Sequence, residues 1–175
     1  CEFGDGAMVT HPKGLTEFGR KAIPQLEKHR IVVDISHASE PLFYDVAEIA
    51  SKPLVASHSN AKAVCKHPRN LTNEQVQMIK QSGGLIGLNF HPPFLKEDGI
   101  ATVDDLIAHA EHFLSLDAQD SLAIGSDFDG ADLPQGIRGI EGIYAIFERF
   151  LQLGYSETLL NKIFYTNAQK FFVSL

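Results

Sequence analysis

The chain has 175 residues, 15 basic and 22 acidic, for a net charge of −7. That balance argues against general nucleic-acid binding, which favours a basic face, and no apolar run approaches the roughly 20 residues of a membrane span. Hydrophobic residues at 44% and charged residues at 21% describe a globular composition, while two cysteines, Cys1 and Cys65, make no disulfide framework and point to a reducing compartment.

Segments of two kinds then alternate. Thr16 to His29 predicts a helix, with Thr16 as N-cap and Phe18, Ala22, Ile23 and Leu26 near helical spacing. Ile31-Val32-Val33-Asp34-Ile35 is a short run rich in β-branched residues and predicts a first strand, ending in Ser36-His37. A helix over about 41–50 follows a Ser39 cap. Pro53 to His58 predicts a second strand. Thr72-Asn73-Glu74-Gln75 carries the capping-box pattern and opens a helix that Gly83-Gly84 stops. Leu85 to Phe90 is the third strand, Thr102 to Leu116 a helix, and Ser121 to Gly125 the fourth strand. Two helices, about 140–153 and 156–173, close the chain around Gly154.

Four strands separated by helix-length connections, each a nearly continuous apolar run, predict parallel strands buried on both faces. The fold class is therefore α/β, in a single domain over 1–175. An open doubly wound sheet and part of a barrel both satisfy this pattern; a complete eight-unit barrel needs roughly 250 residues.

The polar residues gather at one place in each unit. His37 follows strand one, His58 strand two, Asn89 and His91 strand three, Asp127 and Asp129 strand four. All would face the carboxyl-end rim, where α/β proteins bind ligands. Imidazole with carboxylate suits a borderline divalent metal, and a metal-bound water ionises near neutral pH. This points to metal-assisted hydrolysis, with Asp127 orienting or deprotonating the water. Taken singly, each residue has a plainer reading: a strand-end histidine is commonly a hydrogen-bonding residue, and Asp127 and Asp129 are turn formers. His109 and His112 share a helix face expected to be solvated. His11, His29 and His67 are expected in loops or on the surface, and Cys65 as an inert thiol. Arg69, just ahead of a helix, is either a surface residue or a bidentate carboxylate clamp.

Five segments occur in order: Gly14-Leu15-Thr16-Glu17-Phe18-Gly19, Asp34-Ile35-Ser36-His37, Ser57-His58-Ser59-Asn60-Ala61, Arg69-Asn70 and Gly125-Ser126-Asp127-Phe128-Asp129-Gly130. Together they resemble the carboxyl-terminal half of the membrane dipeptidase (renal dipeptidase) family. The resemblance implies a (β/α)₈ barrel, a two-zinc centre and dipeptide hydrolysis. It makes His37 and His58 ligands of one zinc, Arg69 the anchor of the substrate carboxylate, and Asp127 the contact of the metal-bridging water. The family's His-x-Asp motif, bridging glutamate and carbonyl-polarising histidine have no counterpart here; two residues after His11 stands Lys13.

The resemblance thus implies ligands for at most one of two zincs, incompletely supplied, and a fragment inactive alone. Two further readings are another metal-dependent amidohydrolase-type barrel and a non-catalytic binding scaffold. A half-barrel leaves unpaired edges, so pairing with a second copy, pairing with the missing amino-terminal half, or a rearranged sheet is expected. A cytoplasmic location is expected as well.

Overall fold

The computed structural model describes residues 2–173, which leaves Cys1 outside. Its helices begin where the sequence provides caps. Helix α1 (Glu17–Lys28) starts at Thr16, whose hydroxyl accepts from the Gly19 N–H at 3.0 Å. Helix α2 (Glu40–Ile49) starts at Ser39 in the same way. In α3 (Asn73–Gln81) the capping box is complete: Thr72 accepts from Gln75 N–H, and the Gln75 amide oxygen accepts from Thr72 N–H at 2.9 Å. Gly83, in the left-handed region at φ 74°, ends it.

The strands are β1 (Val55–Ala56), β2 (Leu85–Asn89) and β3 (Leu122–Ser126), parallel and in the order β1-β2-β3. Helices α3, α4 (Pro92–Leu95) and α5 (Val103–Ser115) connect them, and α6 (Gly142–Gln152), α7 (Glu157–Asn161) and α8 (Asn167–Val173) follow. Strands and helices alternate as the sequence predicts, with two corrections. The run 31–35 is no strand: it meets the sheet at one parallel bridge, Asp34 to Val55, with Ile35 N–H bonded to Val55 O at 2.8 Å. Its neighbour β1 is only two residues long, and among the described residues none forms a β-bridge with 31–33, so a ladder has nothing to extend along. The helix over 156–173 is interrupted by a π-helical turn at 162–166.

Side chains alternate across the sheet. Leu54, Ala56, Ile86, Leu88 and Leu122 enter the main core with Phe43, Phe90, Phe113 and Phe150. Val55, Leu85 and Ala123 point the other way and meet Phe171 of α8. Gly87 and Gly125 lie on this second face nearer the carboxyl ends. There a Cβ would stand 2.0 Å and 2.1 Å from the Ser57 carbonyl oxygen. Only glycine lets the chain after β1 lie this close to β2 and β3, and that segment carries His58.

Candidate metal and substrate site

Asp34 organises the rim. One carboxylate oxygen accepts from the Ser36 N–H (3.0 Å), the Ser36 hydroxyl (2.6 Å) and the Ser57 N–H (3.1 Å), and the other accepts from the Ser57 hydroxyl. Loss of solvent pushes the Asp34 carboxyl up, but these donors outweigh it and hold the group below the usual carboxylate value. The two serines pass the order on. Ser36 Oγ accepts from the His58 N–H at 3.1 Å, and Ser57 Oγ stands 2.7 Å from His58 Nδ1.

Because the Ser57 proton is directed at Asp34, His58 Nδ1 is the donor in that contact. Its Nε2 then carries the lone pair, and it lies 3.0 Å from Nε2 of His37. Two imidazoles on one tetrahedral ion, each at about 2.0–2.1 Å, stand roughly 3.3 Å apart. The pair therefore fits one edge of a divalent metal's ligand shell. Among the described residues no group of three or more His, Cys, Asp and Glu side chains is placed to hold a metal, so the two histidines supply a partial set.

Asp127 reaches the same rim from β3. Its backbone is left-handed, at φ 68°, as is that of Asp129 at φ 66°, a conformation aspartate adopts more readily than most residues. The turn-former reading thus describes the backbone, while the Asp127 side chain does something else: its Oδ2 accepts from Asn89 Nδ2 at 3.0 Å. Asn89 is fully buried, and its Oδ1 accepts from the His91 N–H at 2.6 Å. The Asn60 side chain pairs with both backbone groups of Asn89, at 2.9 Å and 3.1 Å.

Arg69 is not a surface arginine. It is 6% exposed, and both terminal guanidinium nitrogens are buried without a hydrogen-bond partner. Burial pushes its pKa down, while the charges of Asp127 and Asp34 oppose the shift. His37 senses the same groups: partial burial lowers its pKa, the positive fields of Arg69 and His58 add to that, and Asp127 and Asp34 oppose it. His37, His58, Arg69 and Asp127 therefore lie within electrostatic reach of one another around Asp34.

Other expectations divide. Cys65 is buried, with its thiol pushed up by burial, as an inert thiol should be. His112 is half-buried and pairs with Asn73, and its helix neighbour His109 is completely buried. His109 accepts from the Ala61 N–H (3.0 Å) and lies 3.0 Å from the Leu95 carbonyl oxygen, tying the loop after His58 to α4. His67 is half-buried against Phe94, with ring centroids 4.4 Å apart. Sequence reasoning missed Asp34 as the hub; the one signal was a carboxylate inside an otherwise apolar run.

Comparison with known proteins gives the family of the chain. A family model described as membrane dipeptidase (peptidase family M19) matches residues 1–174. An uncharacterized protein in the pqqA 5′ region of Klebsiella pneumoniae is 36% identical over 94% of this chain and 65% of its own length. Dipeptidase 3 of Macaca fascicularis is 30% identical over 94% of the chain and 34% of its own. The chain thus spans less than two thirds of each of these relatives. A Rhodobacter sphaeroides metallo peptidase, solved with a phosphinate mimic of the dipeptide L-Ala-D-Ala, superposes with a TM-score of 0.88 at 38% identity, over 97% of this chain and 49% of that one. A probable dipeptidase, PvdM of Pseudomonas aeruginosa, shares the fold at a TM-score of 0.88 and 20% identity, over 97% of this chain and 58% of that one. With the match running along nearly every residue, the chain belongs to the membrane dipeptidase family, M19.

Proposed function

We propose that these residues form one domain, the carboxyl-terminal half of a (β/α)₈ barrel, and that it contributes one side of a zinc dipeptidase centre. The observation that carries this is the convergence of His37 and His58, Nε2 to Nε2 at 3.0 Å, beside an unpartnered buried guanidinium. A zinc ion, if bound there, would supply Lewis-acid activation of a water, which ionises near pH 7 on such an ion. His37 and His58 hold the ion. Asp127, fixed by Asn89, orients the water and accepts its proton. Arg69 receives the terminal carboxylate of the dipeptide in its fork.

With two imidazoles where a zinc site has three or four protein ligands, the domain alone is an inactive fragment in this reading. The rest of the centre comes from an amino-terminal half or from association with a second copy, which would also cover the edge at 31–33. A reducing, cytoplasmic setting belongs to the same proposal and rests on cysteine usage alone. Among the described residues no helix is long and apolar enough to cross a membrane.

The test is dipeptide hydrolysis with added zinc, by the chain alone and mixed with the amino-terminal half of a homologous dipeptidase. The expected result is negligible turnover alone and zinc-dependent turnover on mixing. Ordinary turnover by the chain alone, roughly 1 to 10³ per second, overturns the fragment reading. Zinc affinity unchanged in His37→Ala and His58→Ala overturns the metal assignment.

A further inference from the structure

A second group of cationic and proton-donating side chains surrounds one aromatic ring at the rim. Phe94 lies 4.4 Å from the His67 ring and 4.6 Å from the His91 ring, and the Arg69 guanidinium carbon is 5.4 Å from its centroid. Four polar atoms here are buried without any partner: Nη1 and Nη2 of Arg69, Nδ1 of His91, and Oδ1 of Asn70, whose Nδ2 donates to the Phe94 carbonyl oxygen at 2.8 Å. Native proteins rarely leave such atoms orphaned, since each costs roughly 1–3 kcal/mol, and several together mark a place that a ligand completes.

The charges agree. The groups acting on His67 are Arg69 and His91, both lowering its pKa along with burial, and no acid offsets them. Asp127 and Asp34 act on Arg69 from the side of the histidine pair, while Glu97 acts on Cys65 and Asp98 lies 3.9 Å from Lys96. His67 Nδ1 accepts from the Arg69 N–H at 3.2 Å, so its Nε2 is the nitrogen that carries hydrogen. The cluster's orphaned atoms are thus mostly nitrogens, the Arg69 fork and His91 Nδ1, beside one orphaned oxygen, Asn70 Oδ1.

A single terminal carboxylate on Arg69 leaves the histidine donors unused. We propose that the Arg69–His67–His91 cluster around Phe94 is a two-carboxylate site, selecting dipeptides whose carboxyl-terminal residue is aspartate or glutamate. The terminal carboxylate takes the Arg69 fork and the side-chain carboxylate takes His91 and His67. This rests on the reading of the rim as a dipeptide site, but the two can fail separately.

The experiment is an NMR titration of the full chain with Gly-Asp, Gly-Asn and Gly-Leu. Charge-assisted hydrogen bonds are about twice as strong as neutral ones, so Gly-Asp is expected to bind about tenfold more tightly than Gly-Asn. His91→Phe should reduce that ratio to near one, and His91→Gln, which keeps a donor, should restore part of it. Circular dichroism confirms that each variant is folded; if His91→Phe is not, His67→Phe takes its place with the same expectation. Equal binding of all three peptides to the unmodified chain overturns the two-carboxylate site and leaves the dipeptide reading standing. A tenfold ratio that survives both substitutions overturns the assignment to these histidines. Binding of none of the peptides removes the dipeptide site itself, and this proposal with it.

Discussion

The hydroxyl of Ser57 stands 2.7 Å from Nδ1 of His58, on the opposite side of the ring from the nitrogen that meets His37. Ser57 in turn donates to Asp34. Partners of this kind fix ring orientation and tautomer, and their loss typically lowers metal affinity 10- to 100-fold. Ser57→Ala and Asp34→Asn are each expected to weaken zinc binding by about that factor while the domain stays folded. Competition with a chromophoric chelator measures it.

Arg69 should behave differently. Its two terminal nitrogens are buried without partners, and a buried unsatisfied group is a cost to the fold. Arg69→Met keeps an apolar side chain of similar length and removes the guanidinium that lies over Phe94. The unliganded domain is expected to keep its stability or gain about 1–3 kcal/mol, while binding of any carboxylate ligand is lost. Urea denaturation paired with a ligand titration separates the two effects; a loss of stability together with unchanged binding would contradict the assignment.

His109 makes stability depend on pH. Burial, the largest influence, takes its pKa from 6.5 down to about 4, with the Leu95 carbonyl and Asp105 opposing and His112 reinforcing the shift. Between about pH 4 and 6.5 the unfolded chain therefore binds more protons than the folded one, and stability rises with pH. Acidification through this window is expected to remove on the order of 3 kcal/mol. Denaturation midpoints across pH 4 to 7 should slope accordingly, and in His109→Gln the slope should largely vanish. Asp34, whose folded pKa is lowered, loses its contribution only below that window, as pH falls beneath the ordinary carboxylate value towards its lowered folded pKa.

Gly87→Ala tests the seat of the His58 segment. The new methyl would stand 2.0 Å from the Ser57 carbonyl oxygen. Forcing it in is expected to cost about 1–3 kcal/mol, as overpacking generally does, and to displace His58 from His37. Zinc affinity should fall together with the thermal midpoint. Gly83→Ala, where no atom lies within 4 Å of the added carbon, should lower only the midpoint, through its positive φ.

Much of this was legible in the chain because it is local. Thr16, Ser39 and Thr72 cap the helices that follow them, and His37, His58, Asn89 and Asp127 sit where apolar runs end, so a shared rim followed from position alone. What escaped depends on neighbours distant in sequence. The run 31–35 has strand composition, but a strand exists only against a partner of matching length. His109 shares a helix with solvated residues, and only the approach of Ala61 and Leu95 makes it a buried crosslink. The role of Asp34 requires Ser57 to be brought across from β1, which composition does not announce.

Gly87 and Gly125 leave a space one methyl deep on β2 and β3, and the Ser57 carbonyl fills it. The two histidines are thus registered to each other by atoms that are missing, in strands that contribute no metal ligand. On the proposed metal reading, these two sheet positions bear on metal binding as the imidazoles themselves do. A search for the determinants of zinc affinity confined to side chains that could touch the ion would pass over them.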